Sequence, residues 1–470
     1  MRTMEREDTA DVDAESRTRV LPTIHHSGAA LRDGRMTAVR LTDECLADIG
    51  ARNAELRAFI SVMSQESRHQ AVVADREMNT GVDRGALHGI PISIKDLIDI
   101  AHTRTSAGSR VTEGTVAPKD AEPIRRLRGC GAVLIGKTNL HEFAFGTTSE
   151  DSAFGAVRNP FDTRRSAGGS SGGSAVSVAT QMALGSIGTD TGGSVRIPAA
   201  ACGVVGLKPT VGELSTEGVI PLSPTLDHVG VIAATVTDAF LLYSGLKSAS
   251  GRGRLVKASL VDVGMGVLYS YFCDTLESEV AATFERALGT FSNARARVVE
   301  RHVAGAQRIP SVFTNLQAPE AYAYHAPLLD RFAAAYTAPV RSRIERGATV
   351  PAADYVAART AREALTREVD AVLEDVEVLV LPTLPIAAPM LGADTVNIDG
   401  VDESVRMLML KMTQLFNITG HPAITIPCGW TSAGLPCGLQ LVGRRNRTLR
   451  LLEVARGCEA ALAASSKRRR

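Results

Sequence analysis

Aromatic residues are scarce in this sequence. Phe, Trp and Tyr make up 4% of 470 residues and there is one Trp, so the core must be built from Ala, Val, Leu and Ile. Charge of one sign is lacking too. Fifty-two Lys and Arg face 51 Asp and Glu, and the net +1 gives no field to recruit nucleic acid or an anionic membrane. No apolar run approaches the roughly 20 residues of a membrane span. The N-terminal MRTMEREDTADVDAESRTRV lacks the apolar centre of a secretion signal. Seven cysteines, odd in number and without a CxxC pair, exclude a disulfide framework and point to free thiols in a reducing, cytoplasmic setting. The ten histidines show no ligand spacing: His25–His26 has no acidic or thiol company, and His141–Glu142 lacks a second histidine. Neither a metal nor an organic cofactor is expected.

What is present is an ordinary globular pattern. Residues 1–20 read as a mobile tail, 21–464 as a single domain and 465–470 as a short basic tail. Thr37 is placed to cap a helix that carries Leu41, Cys45, Leu46 and Ile49 on one face. Strand-like LHGIPISIKDLIDI, GAVLIGKT, GSIGTD and GVVGLKPT alternate with helical segments, which predicts an α/β fold with a central sheet covered by helices on both faces. About 245–375 reads as a helical insert or cap. Strand signals return in EVLVLPTLP, PAITIPCG and LPCGLQLVG, and Thr448–Leu462 predicts a closing helix.

Two motifs mislead. GAVLIGKT, Gly131–Thr138, fits the spacing of a phosphate loop, but its four middle residues are Ala, Val, Leu and Ile, a strand rather than a flexible anion cradle. RSAGGSSGGSAVSVA, Arg165–Ala179, contains G-x-S-x-G twice, centred on Ser170 and Ser171. A nucleophile elbow, as in an α/β-hydrolase-like esterase, follows a buried apolar strand; polar RNPFDTRRSA precedes this one.

Three stretches together carry chemistry. GIPISIKD ends an apolar strand on Lys95, AGGSSGGSA holds Ser170 and Ser171, and GTDTGGSVRIPAA holds Ser194, 24 residues beyond Ser170. The Gly192–Gly193 pair lets the backbone approach a ligand closely. A helix starting at about Ser194 would leave the N–H groups of Thr191, Gly192, Gly193 and Ser194 unpaired, as an oxyanion hole. A serine nucleophile needs a base. Lys95, desolvated by PISI, is the candidate, because a neutral lysine can take a proton. Ser170 could bridge the two, since a hydroxyl both donates and accepts.

GIPISIKD, GKTNLHEFAFGTTSE, GGSSGGSA, GTDTGGSVRIPAAACGVVGLKPT and GHPAITIPCGW…GLPCGLQLVG resemble the amidase signature family, in order, over roughly Leu41–Leu462. The resemblance implies one α/β domain with a central mixed sheet and a Ser–cis-Ser–Lys triad. Lys95 would be the base, Ser194 the nucleophile and Ser170, after a cis bond from Gly169, the relay. It also implies an oxyanion hole of Thr191, Gly192, Gly193 and Ser194, with Ser171 and Asp190 as organisers and Arg196 either structural or a substrate contact. Many members have Pro where this chain has Ala167, which should loosen the loop entry without removing a catalytic group. The implied activity is hydrolysis of a linear amide, with esters and carbamates open. The implied partner is a small-molecule amide, with no nucleic acid and no membrane; a homodimer stays open.

An alternative within the resemblance is the glutaminase-type A subunit of glutamyl-tRNA(Gln) amidotransferase. Its acidic substrate-binding position falls here on Leu410, which cannot anchor an ammonium. Phe143, Phe145, Leu410, Met412, Leu415 and Phe416 read either as an apolar substrate pocket or as core.

Overall fold

Short apolar runs bounded by Gly and Pro become the strands of one mixed sheet of 11 strands. The computed structural model describes residues 22–112, 114–247 and 254–467. The expected tail over 1–20 and the end of the basic tail, 468–470, lie outside the described residues. Residues 465–467 belong to helix Thr448–Lys467.

From edge to edge the strands run Phe59–Val62, Val133–Thr138, Pro91–Lys95, Gly185–Asp190, His228–Ala233, Val205–Lys208, Ala423–Trp430, Pro436–Val442, Val378–Pro382, Gly264–Leu268 and Arg297–Arg301. Pro91–Lys95 is parallel to both of its neighbours, and each is buried along its whole length. Such strands are covered on both faces. At Gly185 an added Cβ would lie 2.8 Å from Leu242, on helix Val236–Lys247. At Gly188 it would lie 3.0 Å from the Ser171 hydroxyl, beside helix Gly172–Ala179. Three residues apart on a strand, these glycines face opposite sides, so helices cover both faces.

The span about 245–375 is not purely helical. Between its helices it supplies Gly264–Leu268 and Arg297–Arg301, which form the far edge of the sheet. These strands have five residues each, and the first carries Gly264 and Gly266, which hide its apolar period. The long helices Ile309–Phe332 and Ala352–Asp375 pack on each other. Their inner residues Phe313, Leu316, Leu365 and Val369 share a second apolar core with Ile197 and Leu415. The cap therefore sits on the segments that follow Asp190.

Candidate active site

Lys95 ends strand Pro91–Lys95 and Asp190 ends its parallel neighbour. Crevices open at the carboxyl ends of such strands, and two loops close over this one. Ala167–Ser171 leads into helix Gly172–Ala179, and Thr191–Val195 leads into helix Arg196–Ala201. Gly193 has φ +131°, and a Cβ there would lie 2.2 Å from Thr413 Oγ1, so glycine is required on both counts.

Lys95 is fully buried, and its Nζ donates to Ser170 Oγ and Thr189 Oγ1, each at 2.8 Å. Burial drives the ammonium pKa down to about 7, against the opposing charges of Asp190 and Asp227. Ser170 follows a cis peptide bond from Gly169. Its carbonyl accepts the His141 N–H at 3.1 Å and the Ser149 hydroxyl at 3.2 Å. The Ser171 N–H donates to the Ser194 carbonyl at 3.1 Å, which ties the two loops together. The Ser171 hydroxyl is spent on the Thr189 carbonyl at 3.1 Å. Ser194 is 6% exposed whereas Lys95 and Ser170 are at 0%, so of these three the second loop's serine is the one a ligand can reach.

Asp190 shapes that loop. Its carboxylate accepts the N–H groups of Gly193 at 2.9 Å, Val195 at 3.1 Å and Arg196 at 3.4 Å. Burial pushes its carboxyl up, but the charge and hydrogen bonds of Arg196, with Lys208 and Asn417 behind them, hold it well below the usual range. This corrects two expectations. The helix begins at Arg196 rather than Ser194, with the N–H groups of Val195 and Arg196 bound by Asp190. The Gly193 N–H, expected in the oxyanion hole, is already taken by Asp190. The N–H groups of Thr191, Gly192 and Ser194 find no acceptor among the described residues.

Arg196 spends all five donors inside the protein: on both Asp190 oxygens at 3.0 and 2.8 Å, Asn417 at 2.6 Å, the Thr413 carbonyl at 3.1 Å and Gln440 at 2.5 Å. Of the two roles expected for it, a structural one agrees with these bonds, since no Arg196 donor is left over for a ligand. The Thr191 hydroxyl donates to Asp227 at 2.6 Å. Burial raises the Asp227 carboxyl to about 6, against the hydrogen bonds from Thr191, Leu222 and Ser223.

Sequence reasoning misses Thr189, Asp227, Thr413, Asn417 and Gln440. Thr189 stands in the GTDTGGS motif one position from Asp190, whereas the others have no spacing that marks them. Of the apolar pocket candidates, Met412, Leu415 and Phe416 belong to the second core, and Phe143 and Phe145 to a smaller one. Leu410 is the exception in position: its Cδ2 lies 3.0 Å from where a Gly192 Cβ would be. The apparent phosphate loop is a buried strand, with Lys137 paired to Asp96 at 3.0 Å. No group of three or more His, Cys, Asp or Glu suited to a metal occurs among the described residues.

A family model described as Amidase matches residues 40–452. The chain belongs to the amidase signature family. An amidase from Pseudomonas putida is 37% identical over 423 residues, covering 86% of this chain and 88% of the relative. The A subunit of glutamyl-tRNA(Gln) amidotransferase from Koribacter versatilis is 33% identical over 482 residues, covering 94% and 98%. A crystal structure of an amidase superimposes with a TM-score of 0.88 at 34% identity, covering 93% of this chain and 99% of the other. Membership makes the chain a hydrolase acting on amides and accounts for the mixed sheet with helices on both faces. No helix among the described residues is long and apolar enough to cross a membrane.

Proposed function

We propose that this amidase cleaves linear carboxylic amides through an acyl-enzyme on Ser194, with Ser170 as relay and Lys95 as base. The observation that carries the reading is the fully buried Lys95 amine, 2.8 Å from Ser170 Oγ and poised to lose its proton near neutrality. Neutral Lys95 takes the Ser170 hydroxyl proton while Ser170 takes that of Ser194, and Ser194 Oγ bonds to the amide carbon. The oxyanion that develops meets the open N–H groups of Thr191, Gly192 and Ser194, donors typically worth about 3–4 kcal/mol each to a transition state. The proton held on Lys95 then returns through Ser170 to the leaving nitrogen as the C–N bond breaks. Water attacks the ester by the same route and frees the acid and Ser194. Asp190, Arg196 and Ser171 hold the loops in place without touching substrate. Because the oxyanion donors act on the carbonyl, esters and carbamates are within reach of the same site.

The test is covalent labelling. A fluorophosphonate should add its phosphoryl group to Ser194, as read by peptide mass spectrometry, and Ser194→Ala should block both the adduct and amide hydrolysis. An adduct on Ser170 or Ser171, with Ser194→Ala still active, would overturn the assignment. The reading as a glutaminase component of the amidotransferase is disfavoured by Leu410, which sets an apolar side chain beside Gly192 where an ammonium would need an anion. Seven free thiols support a reducing, cytoplasmic setting.

A further inference from the structure

A cavity of about 380 Å³ lies beside the active-site loops, a size suited to a small-molecule group. Its wall includes Thr147, Thr148, Asp151, Arg343, Asp394 and Arg406. Two connections tie it to the proposed nucleophile. The segment Ala144–Thr148 borders a small cavity beside Thr191 at one end and this larger one at the other. Helix Val405–Lys411 carries Leu410, which touches the Gly192 position, and Arg406 one turn earlier on the same face. Helical side chains lean toward the N-terminus, so the Arg406 guanidinium reaches away from Gly192, on the order of 10 Å from it.

Of the acids that line this cavity only Asp151 is ion-paired among the described residues, and of its two arginines Arg406 is the one without an ion pair. Arg343 donates to His141 at 3.1 Å, to the Phe145 carbonyl at 3.0 Å and to Asp151 at 3.3 Å. Glu150 accepts the Gly392 N–H at 2.8 Å. Asp394 is the remaining acid of the lining and lies outside ion-pairing distance of Arg406. Arg406 rests 5.7 Å over the Phe145 ring and makes no hydrogen bond or ion pair with any described residue. Burial, then the nearby Arg343 and Arg346, lower its pKa to about 9, against the opposing charge of Asp151. The planar guanidinium fork fits a carboxylate bidentately.

We propose that this cavity is a substrate subsite and that Arg406 binds a carboxylate carried by the amide substrate, remote from the bond cleaved. The inference rests on the amidase reading of Ser194 and names the substrate class, a carboxylated amide.

Two measurements separate the inference from that reading. In the first, kcat/KM is compared for monoamides of dicarboxylic acids of increasing length and for the uncharged alkanamides of the same lengths. A second pair, acylated 4-aminobenzoate and acylated aniline, puts the charge on the leaving side. In at least one pair the carboxylate should raise kcat/KM about tenfold or more, through KM. Arg406→Met should bring that ratio close to one and Arg406→Lys should restore part of it. Ratios near one in the wild type, or ratios unmoved by Arg406→Met, would overturn the subsite while turnover of the neutral amides upheld the amidase reading. In the second, calorimetry on the Ser194→Ala protein measures binding of the same carboxylated amides without turnover. Binding weakened about tenfold by adding Arg406→Met supports the subsite whatever the fate of the nucleophile assignment, and equal binding overturns it.

Discussion

At the scale of single residues, the decisive quantity is the protonation of one amine. Burial lowers the pKa of Lys95 and the charges of Asp190 and Asp227 raise it; burial wins, leaving a value of about 7. Below that pH the amine is charged and cannot accept a proton, so kcat/KM should rise tenfold per pH unit up to about 7 and then level off. Asp227→Asn removes a charge that favours the ammonium, so the acidic limb should move to lower pH; a limb that stays put or moves upward contradicts the role given to Lys95. Lys95→Ala should cost about 10²–10⁴-fold in kcat, the usual weight of a positioned base, with an unchanged circular dichroism spectrum. Lys95, Ser170 and Ser194 stand out in the sequence because polar groups end apolar strands or sit among glycines. Asp227, Asn417 and Gln440 are ordinary polar residues in sequence, and their importance comes from partners that lie far along the chain.

At the scale of elements, the loops are held by contacts that tolerate little change. Asp190 and Arg196 are fully buried and 2.8 Å apart. Removing one member of such a pair strands the other charge, so Arg196→Leu should lower unfolding stability by about 3–5 kcal/mol, measured by denaturant titration. Helix Gly172–Ala179 sits so close to its neighbours that a Cβ on Gly173 would lie 2.3 Å from the Ala58 carbonyl and 2.5 Å from that of Asn139. Backbone cannot yield as a side chain does, so Gly173→Ala should cost at least about 1–3 kcal/mol and reduce activity by moving the Ser170 loop. Local signals locate many elements well. Thr37 does cap helix Ala38–Leu56, accepting the Arg40 N–H at 3.1 Å. The closing helix expected from Thr448 starts at that residue and runs to Lys467. The start of helix Arg196–Ala201 escapes such signals because a carboxylate before the loop, rather than a side chain at the helix entry, binds the leading N–H groups. Strand Gly264–Leu268 is hidden by its glycines, and its pairing partners come from residues 297–301 and 378–380.

At the scale of the molecule, one sheet draws its 11 strands from residues 59–442, and the cap supplies two of them. We infer a single cooperative unit. Thermal unfolding followed by the lone Trp430, at the end of strand Ala423–Trp430, should coincide with the helix signal in circular dichroism. Two separated midpoints would instead mark the cap as an independent domain. The anchoring of Arg196 carries a consequence for synthesis. Its partners Thr413, Asn417 and Gln440 are the last parts of the site to leave the ribosome. A nascent chain that has released both serine loops still lacks the clamp on the second one, so competence to cleave must wait until residues 413–440 have emerged as well.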